Sequence, residues 1–254
     1  MATDPTRRFS SRVEDYVRYR PSYPAEVVRL LERECGLTPR SVVADIGSGT
    51  GLLAELFLRL GCEVYGVEPN EDMRLAGAKI LSSFSTFHSI EGRAEQTTLA
   101  AASVDFVTAG QAFHWFLPDQ ARSEFARILR PGGWVVLAWN ERLVTADTFL
   151  AGYEALLHKY APEYDQVDHR HIDAAAIARF FGHGSWHQAV FENRQIFDSE
   201  GLCGRLRSSS YTPQPGSPDY EPMMQGLRDL FNRCQQDGHV AFLYETKVYY
   251  GQLE

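Results

Sequence analysis

Residues 41–70 read SVVADIGSGTGLLAELFLRLGCEVYGVEPN, and the reading of this stretch decides the fold. An apolar run over 42–46 carries one carboxylate, Asp45, and breaks into three alternating glycines, Gly47, Gly49 and Gly51. The apolar spacing over 52–60 is that of a helix burying one face. Gly61 stops that helix, and a β-rich run over 64–67 follows and ends in Glu68. Strand, tight turn, helix and strand make one βαβ crossover. In an open parallel sheet, ligands sit beyond the carboxyl ends of the strands, where the glycine turn and Glu68 both fall.

The glycine spacing is G-x-G-x-G, whereas a turn that supports a dinucleotide pyrophosphate reads G-x-G-x-x-G. Asp45 would put a carboxylate beside the place of a pyrophosphate, and like charges there cost energy. S-adenosylmethionine carries a sulfonium and an ammonium instead, which a carboxylate suits. The glycines let the backbone approach a methionyl group, and Glu68 can accept from both ribose hydroxyls. Asp45, the three glycines and Glu68 together resemble motifs I and II of the class I S-adenosylmethionine-dependent methyltransferases. The resemblance implies a doubly wound α/β fold with a seven-stranded, mostly parallel, Rossmann-like sheet. It also implies S-adenosylmethionine as cofactor, held by Asp45, Gly47, Ser48, Gly49, Gly51, Glu68 and Pro69.

Bulk properties fit a chain of this kind. With 254 residues, 44% hydrophobic and 23% charged, the sequence is long enough for one large α/β domain over 1–254. A net charge of -8 gives no basic footprint for nucleic acid or an anionic membrane surface. A small-molecule acceptor is therefore expected, with no nucleic-acid partner and no membrane insertion, in a monomer or homodimer. Cys35, Cys62, Cys203 and Cys234 form no C-x-x-C pair, so reduced thiols and a cytoplasmic location are expected. The N-terminus is polar and lacks the apolar core of a signal peptide. His158, His169, His171, His183 and His187 show no metal-binding spacing, and no metal is expected.

Working outward, the resemblance divides the chain into an N-terminal lid and helix (1–35), a cofactor-binding core (36–140), a helical cap (141–184) and C-terminal strands and helices (185–254). Residues 7–24 are dense in aromatics and arginine, including Phe9, Arg12, Tyr16, Arg18, Tyr19 and Arg20, ahead of an amphipathic helix over 25–35. They resemble the entry segment of the small-molecule methyltransferases that include the trans-aconitate and ubiquinone/menaquinone biosynthesis enzymes. On that resemblance the segment closes as a lid, Arg20 binds the methionyl carboxylate, and Tyr16 or Tyr19 walls the pocket. Packing of these aromatics on the sheet edge is the other reading.

Downstream, residues 70–81 read as a helix with Met73 near its start, where a soft side chain suits one face of an adenine ring. A short strand over 87–90 leads into Glu91-Gly-Arg-Ala-Glu95, which resembles the family's third motif, with Arg93 where an aspartate is commoner. Ala94 and Glu95 are accordingly expected at the adenine. The strand over 103–109 ends in Gln111-Ala-Phe-His-Trp-Phe116 in place of the Asn-Pro-Pro-Tyr run of enzymes that methylate base or amide nitrogens. Gln111 is expected at the cofactor, and His114, Trp115, Phe116 and Trp139 at the acceptor, with aromatic faces near the sulfonium. Leu-Arg-Pro-Gly-Gly at 129–133 matches the family's turn before the strand at 134–139. Residues 143–184 look helical, 186–197 and 240–250 read as strands, and 222–235 as a helix.

Methyl transfer from an activated sulfonium needs alignment and exclusion of water, worth up to about 7–11 kcal/mol, and no nucleophilic residue. A carboxylate acceptor would need no base, whereas a phenol or an enolisable carbon would use His114, which otherwise serves as pocket wall. A nicotinamide-dependent oxidoreductase, disfavoured by Asp45, and a cofactor-binding protein without turnover are the alternatives.

Overall fold

In the computed structural model, which describes residues 13–164, 174–182 and 185–253, the glycine turn sits at the middle of a seven-stranded sheet. Strands β1 (Val42–Ile46), β2 (Glu63–Val67), β3 (Phe87–Ile90), β4 (Val104–Gly110) and β5 (Leu129–Arg142) pair in parallel in the order β3-β2-β1-β4-β5. Strand β7 (Val240–Gly251) then adds antiparallel to β5, and β6 (Trp186–Phe197) antiparallel to β7 at the edge. The strand order reverses between β1 and β4, which opens a crevice at their carboxyl ends.

Both faces of β1 are covered, and its sequence reads as a continuous apolar run for that reason. Val43 faces a core built with α2 (Glu26–Cys35) and α3 (Ala54–Leu60), where Val27, Leu31, Phe57 and Leu58 are buried. Ala44 and Ile46 face the opposite core, filled by Phe125 and Ile128 of α5 (Pro118–Ile128) and by Phe180 and Phe181 of α7 (Ala174–Phe181). The polar residue within β4, Asp105, binds Arg130 through both oxygens at 2.8 and 2.9 Å and accepts from the Val42 amide at 2.8 Å. It ties the amino ends of β1, β4 and β5 together.

The Pro-Gly turn is not a separate connection between helix and strand. Leu129 already pairs with Val104, and residues 130–133 bulge out before Trp134 resumes the register opposite Phe106. Helix α4 (Glu71–Ile80) is capped by Asn70, whose side chain accepts from the Met73 amide at 2.9 Å.

A third hydrophobic cluster lies beside β7, built from α6 (Thr148–Tyr160), α8 (Ser199–Arg207) and α9 (Tyr220–Cys234) around Phe242 and Tyr244. Sequence reading missed α8. Its first turn is polar and glycine-bearing, but Asp198 caps it by accepting from the Gly201 amide at 2.7 Å. Helix α1 (Val13–Tyr19) docks on α8: Tyr19 packs where Gly204 lacks a side chain, and Asp15 pairs with Arg207 Nε at 2.9 Å. Phe9 and Arg12 of the expected lid lie outside the described residues, as do His169, His171 and His183.

Gly51 serves the fold: its φ is +87° and a Cβ there would stand 2.4 Å from Leu81 Cδ1. Gly51→Ala is expected to lower stability by about 1–3 kcal/mol through strain and overpacking, seen as a lower Tm in thermal unfolding.

Candidate functional site

Two clefts meet at the carboxyl ends of β1, β2 and β4, and Tyr16, Gly47, Gly110, Gln111 and Trp115 line both. The first is further lined by Gly49, Glu68, Pro69, Met73, Ala94, Glu95 and Phe116. The second is further lined by Asp45, Ser48, Arg20, His114, Trp139, Arg142, Arg205 and Tyr244. Every cofactor position expected from the sequence lies in one or both clefts except Gly51, which packs on Leu81. Phe116, expected beside the acceptor, lines the first cleft with Glu68 and Met73, whereas His114 and Trp139 line the second.

The turn between the clefts is built by its backbone. Gly47, at φ +66°, donates from its amide to Val67 O at 2.8 Å, and a Cβ on it would stand 2.6 Å from Ala112 Cβ. Glu68 is buried: its Oε2 accepts from the Gly49 amide at 2.9 Å and its Oε1 from the Asn70 amide at 2.8 Å. Burial raises the affinity of this carboxyl for a proton, and the two amides oppose that by favouring the ionised form. Glu95 Oε1 accepts from the Leu117 amide at 2.8 Å and so fixes the rim of the first cleft.

Asp45 is 1% exposed, and its Oδ1 accepts from Thr108 Oγ1 at 2.8 Å. Burial pushes its pKa up to about 7 against the Thr108 hydrogen bond, which favours the charge. Its Oδ2 has no hydrogen-bond partner among the described residues, and the same holds for Thr50 Oγ1, Gln111 Oε1, Trp139 Nε1, Arg20 Nε and Arg142 Nη1. All six of these buried atoms belong to residues lining the second cleft. Buried polar groups in native proteins are ordinarily paired, so these atoms are positions where water or a ligand would complete the hydrogen bonding. Gln111 also holds a strained backbone at φ 55° while its Nε2 donates to Asn140 O at 3.1 Å.

Tyr16 and Arg20 close the site from the α1 side. The Arg20 guanidinium lies over the Tyr16 ring at 5.0 Å and donates through Nη2 to Ser208 O at 2.8 Å. Trp115 is 37% exposed at the junction of the clefts, stacked obliquely beside His114 with ring centroids 4.7 Å apart. Among the described residues no group of three or more His, Cys, Asp or Glu comes together to hold a metal ion. Nor is any described helix long and apolar enough to cross a membrane.

Sequence reasoning missed the far wall of the second cleft, formed by Arg142, Tyr164, Arg205, Tyr211 and Tyr244. These residues share no motif and come from five separate places in the chain, so no local signal marked them.

Residues 44–137 match the methyltransferase-domain family. An uncharacterized methyltransferase-like protein of Schizosaccharomyces pombe is 30% identical over 98% of this chain and 96% of its own length. An uncharacterized methyltransferase of Mycobacterium tuberculosis is 37% identical, but that match spans 55% of this chain and 54% of the relative. The chain thus spans about half the length of the first curated relatives it matches. In fold it is similar to a protein of Anaeromyxobacter dehalogenans provisionally named a type II methyltransferase, with TM-score 0.68 and 20% identity over 92% of this chain and 98% of the other. The chain belongs to the class I S-adenosylmethionine-dependent methyltransferase family, as the glycine turn, Asp45 and Glu68 lead one to expect.

The site's chemistry is compatible with a cationic donor: Asp45 presents a buried carboxyl at the second cleft, and its Oδ2 accepts no hydrogen bond among the described residues. The raised pKa of Asp45 sets a pH dependence. The free protein holds Asp45 protonated below pH 7 and ionised above it, and only the ionised form attracts an ammonium or sulfonium. Affinity for S-adenosylmethionine, measured by calorimetry, is expected to fall as pH drops below about 7, approaching tenfold per pH unit. In the unliganded protein the sign is reversed. A folded pKa of about 7 against the ordinary 3.8 costs stability progressively as pH rises from 4 to 7, and Asp45→Asn should flatten that loss while weakening donor binding.

Proposed function

We propose that this protein transfers the methyl group of S-adenosylmethionine to a small-molecule acceptor, with the donor's adenosine in the first cleft, its methionyl end crossing the junction toward Asp45 and Arg20, and the acceptor in the rest of the second cleft. The observation that carries the reading is the junction: Gly47, Gln111, Tyr16 and Trp115 line both clefts, so a group placed between them meets donor and acceptor at once. Glu68 would take the ribose hydroxyls with lone pairs left over from its two amides. Met73 and Ala94 would flank the adenine, Asp45 would face the ammonium, and Arg20 would take the methionyl carboxylate. The bound sulfonium supplies an already activated methyl group.

The chain's own residues supply position and dryness. Trp115 and Tyr16 cover the junction, and Trp139, 2% exposed, backs the acceptor side. Asp45, Glu68 and Arg20 would hold the donor so that its methyl carbon is offered to an acceptor lone pair, the carbon–sulfur pair leaving with sulfur as a neutral thioether. An acceptor that carries a proton releases it to His114, on the same wall as Trp139, whereas an ionised carboxylate has none to release. Closing the site strengthens these electrostatic contacts by expelling water. Helix α1, which touches both α8 and α4, is the lid in this reading.

Three checks follow. Calorimetry is expected to show S-adenosylhomocysteine binding at micromolar strength and NAD binding at least a hundredfold more weakly; a preference for NAD would overturn the assignment. Glu68→Gln, which keeps the size of the side chain and removes its charge, should weaken S-adenosylhomocysteine by about 1.5–3 kcal/mol for a lost charged hydrogen bond, with a modest fall in Tm because the Gly49 and Asn70 amides lose a charged acceptor. Hydrogen exchange over residues 13–24 should slow when the donor binds, and exchange that is equally slow without it would make α1 a static wall.

A further inference from the structure

Arg142 and Arg205 have no task in the donor contacts above, and both lie outside the residues that match the methyltransferase-domain family, 44–137. Arg205 is 6% exposed, and its hydrogen bonds run from Nε to Tyr244 Oη at 3.4 Å and from Nη1 to Ser209 Oγ at 3.0 Å. Both partners are neutral, and no carboxylate pairs with it among the described residues. A guanidinium remains charged inside a protein, and a buried charge without a counter-charge is costly.

Arg142 stands at the carboxyl end of β5, nine-tenths buried. Its Nη2 donates to Glu154 and to Tyr164 Oη, and its Nη1 is buried without a hydrogen-bond partner among the described residues. Arg20 is the third guanidinium on the cleft. Its proton affinity is held below the ordinary range first by burial and next by the charge of Arg205, so the two arginines press like charges together.

The anions at hand do not balance this. Of the cleft's own carboxylates, Asp45 faces the donor's cations and Glu141 pairs with Lys247 at 2.5 Å. The donor brings a single carboxylate, which Arg20 takes. That leaves Arg205 without a counter-charge, and the Nη1 of Arg142, whose charge Glu154 meets through Nη2, without an acceptor, both on the wall of the second cleft.

We propose that Arg205 and Arg142 anchor an oxyanion of the acceptor, so that the molecule methylated here is a small acid held by a carboxylate or phosphate at this wall while another of its atoms reaches the junction of the clefts. The inference rests on the methyl-transfer reading and adds the acceptor's chemical class to it. Two guanidinium forks suit an oxyanion better than ammonium groups would, because each offers parallel N–H donors to a pair of oxygens. Fixing one end of the acceptor fixes the approach of the other, which is what an alignment-controlled displacement requires.

The test uses protein already loaded with S-adenosylhomocysteine, titrated with succinate, citrate, phenyl phosphate and, as an uncharged control, succinamide. At least one acid is expected to bind in the sub-millimolar range while succinamide does not, and the carboxylates and the phosphate separate the two kinds of oxyanion. Arg205→Gln should weaken that acid tenfold or more and change S-adenosylhomocysteine affinity less than threefold, with Arg205→Lys in between. Should Arg205→Gln fail to fold, Arg142→Gln is titrated in its place and should lose the acid in the same selective way. Acids that bind wild type no better than succinamide would overturn the proposal. So would a variant that loses S-adenosylhomocysteine and keeps the acid, since Arg205 would then be the donor's own carboxylate ligand. Wild-type protein that fails to bind S-adenosylhomocysteine at all would instead strike at the methyl-transfer reading itself.

Discussion

One buried carboxylate fixes the geometry on which the site depends. Glu68 accepts from the Gly49 amide of one turn and the Asn70 amide of the next, so the loops after β1 and β2 are held to a single group. Asn70, placed in this way, caps α4 through the Met73 amide and sets Met73 into the first cleft. Gly77 of α4 then faces the turn so closely that a Cβ on it would stand 3.1 Å from the Gly49 carbonyl oxygen, closing the loop from turn to helix and back. The glycine turn keeps its shape because a charge that is expensive to bury is satisfied by backbone donors.

The same neighbourhood is stable despite several local costs. Burial pushes the pKa of Asp45 up to about 7, Gln111 sits in a backbone region that side chains avoid, and six buried polar atoms along the second cleft lack hydrogen-bond partners among the described residues. The cores on either face of the sheet carry that burden, with Phe57 and Leu31 on one side and Phe125 and Phe181 on the other fully buried. Strain and unpaired polarity concentrated in one place, with regular packing elsewhere, are what a binding site costs the fold.

Reading the sequence went furthest where function is written in backbone. Asp45, the alternating glycines and Glu68 are legible because a turn of that shape, at a strand end, admits few residue types. The five parallel strands follow from apolar runs punctuated by glycine and proline. The Pro-Gly segment misled on one point, since a turn signature inside residues 130–133 is a bulge within β5 and not the end of a connection. Helix α8 escaped notice because its apolar residues are few and its cap, Asp198, has no glutamate partner to complete a capping box. The arginine and tyrosine wall was illegible for a deeper reason: Arg142, Tyr164, Arg205, Tyr211 and Tyr244 become neighbours only through the antiparallel return of β7 and the packing of α6 and α8 beside it.

Strand β7 therefore has a role beyond completing the sheet. It pairs with β5 along eight successive positions from Val135 to Arg142, and these ladder bonds are made by backbone atoms whatever side chains β7 carries. On the proposed reading, the side of the cleft that would meet the acceptor is thus hung on a frame indifferent to its own decoration, while the side that would meet the donor is the frame. On that reading, tyrosines and arginines at the acceptor's side can be exchanged, and the molecule accepted with them, while the strand pairing and the glycine turn stay as they are.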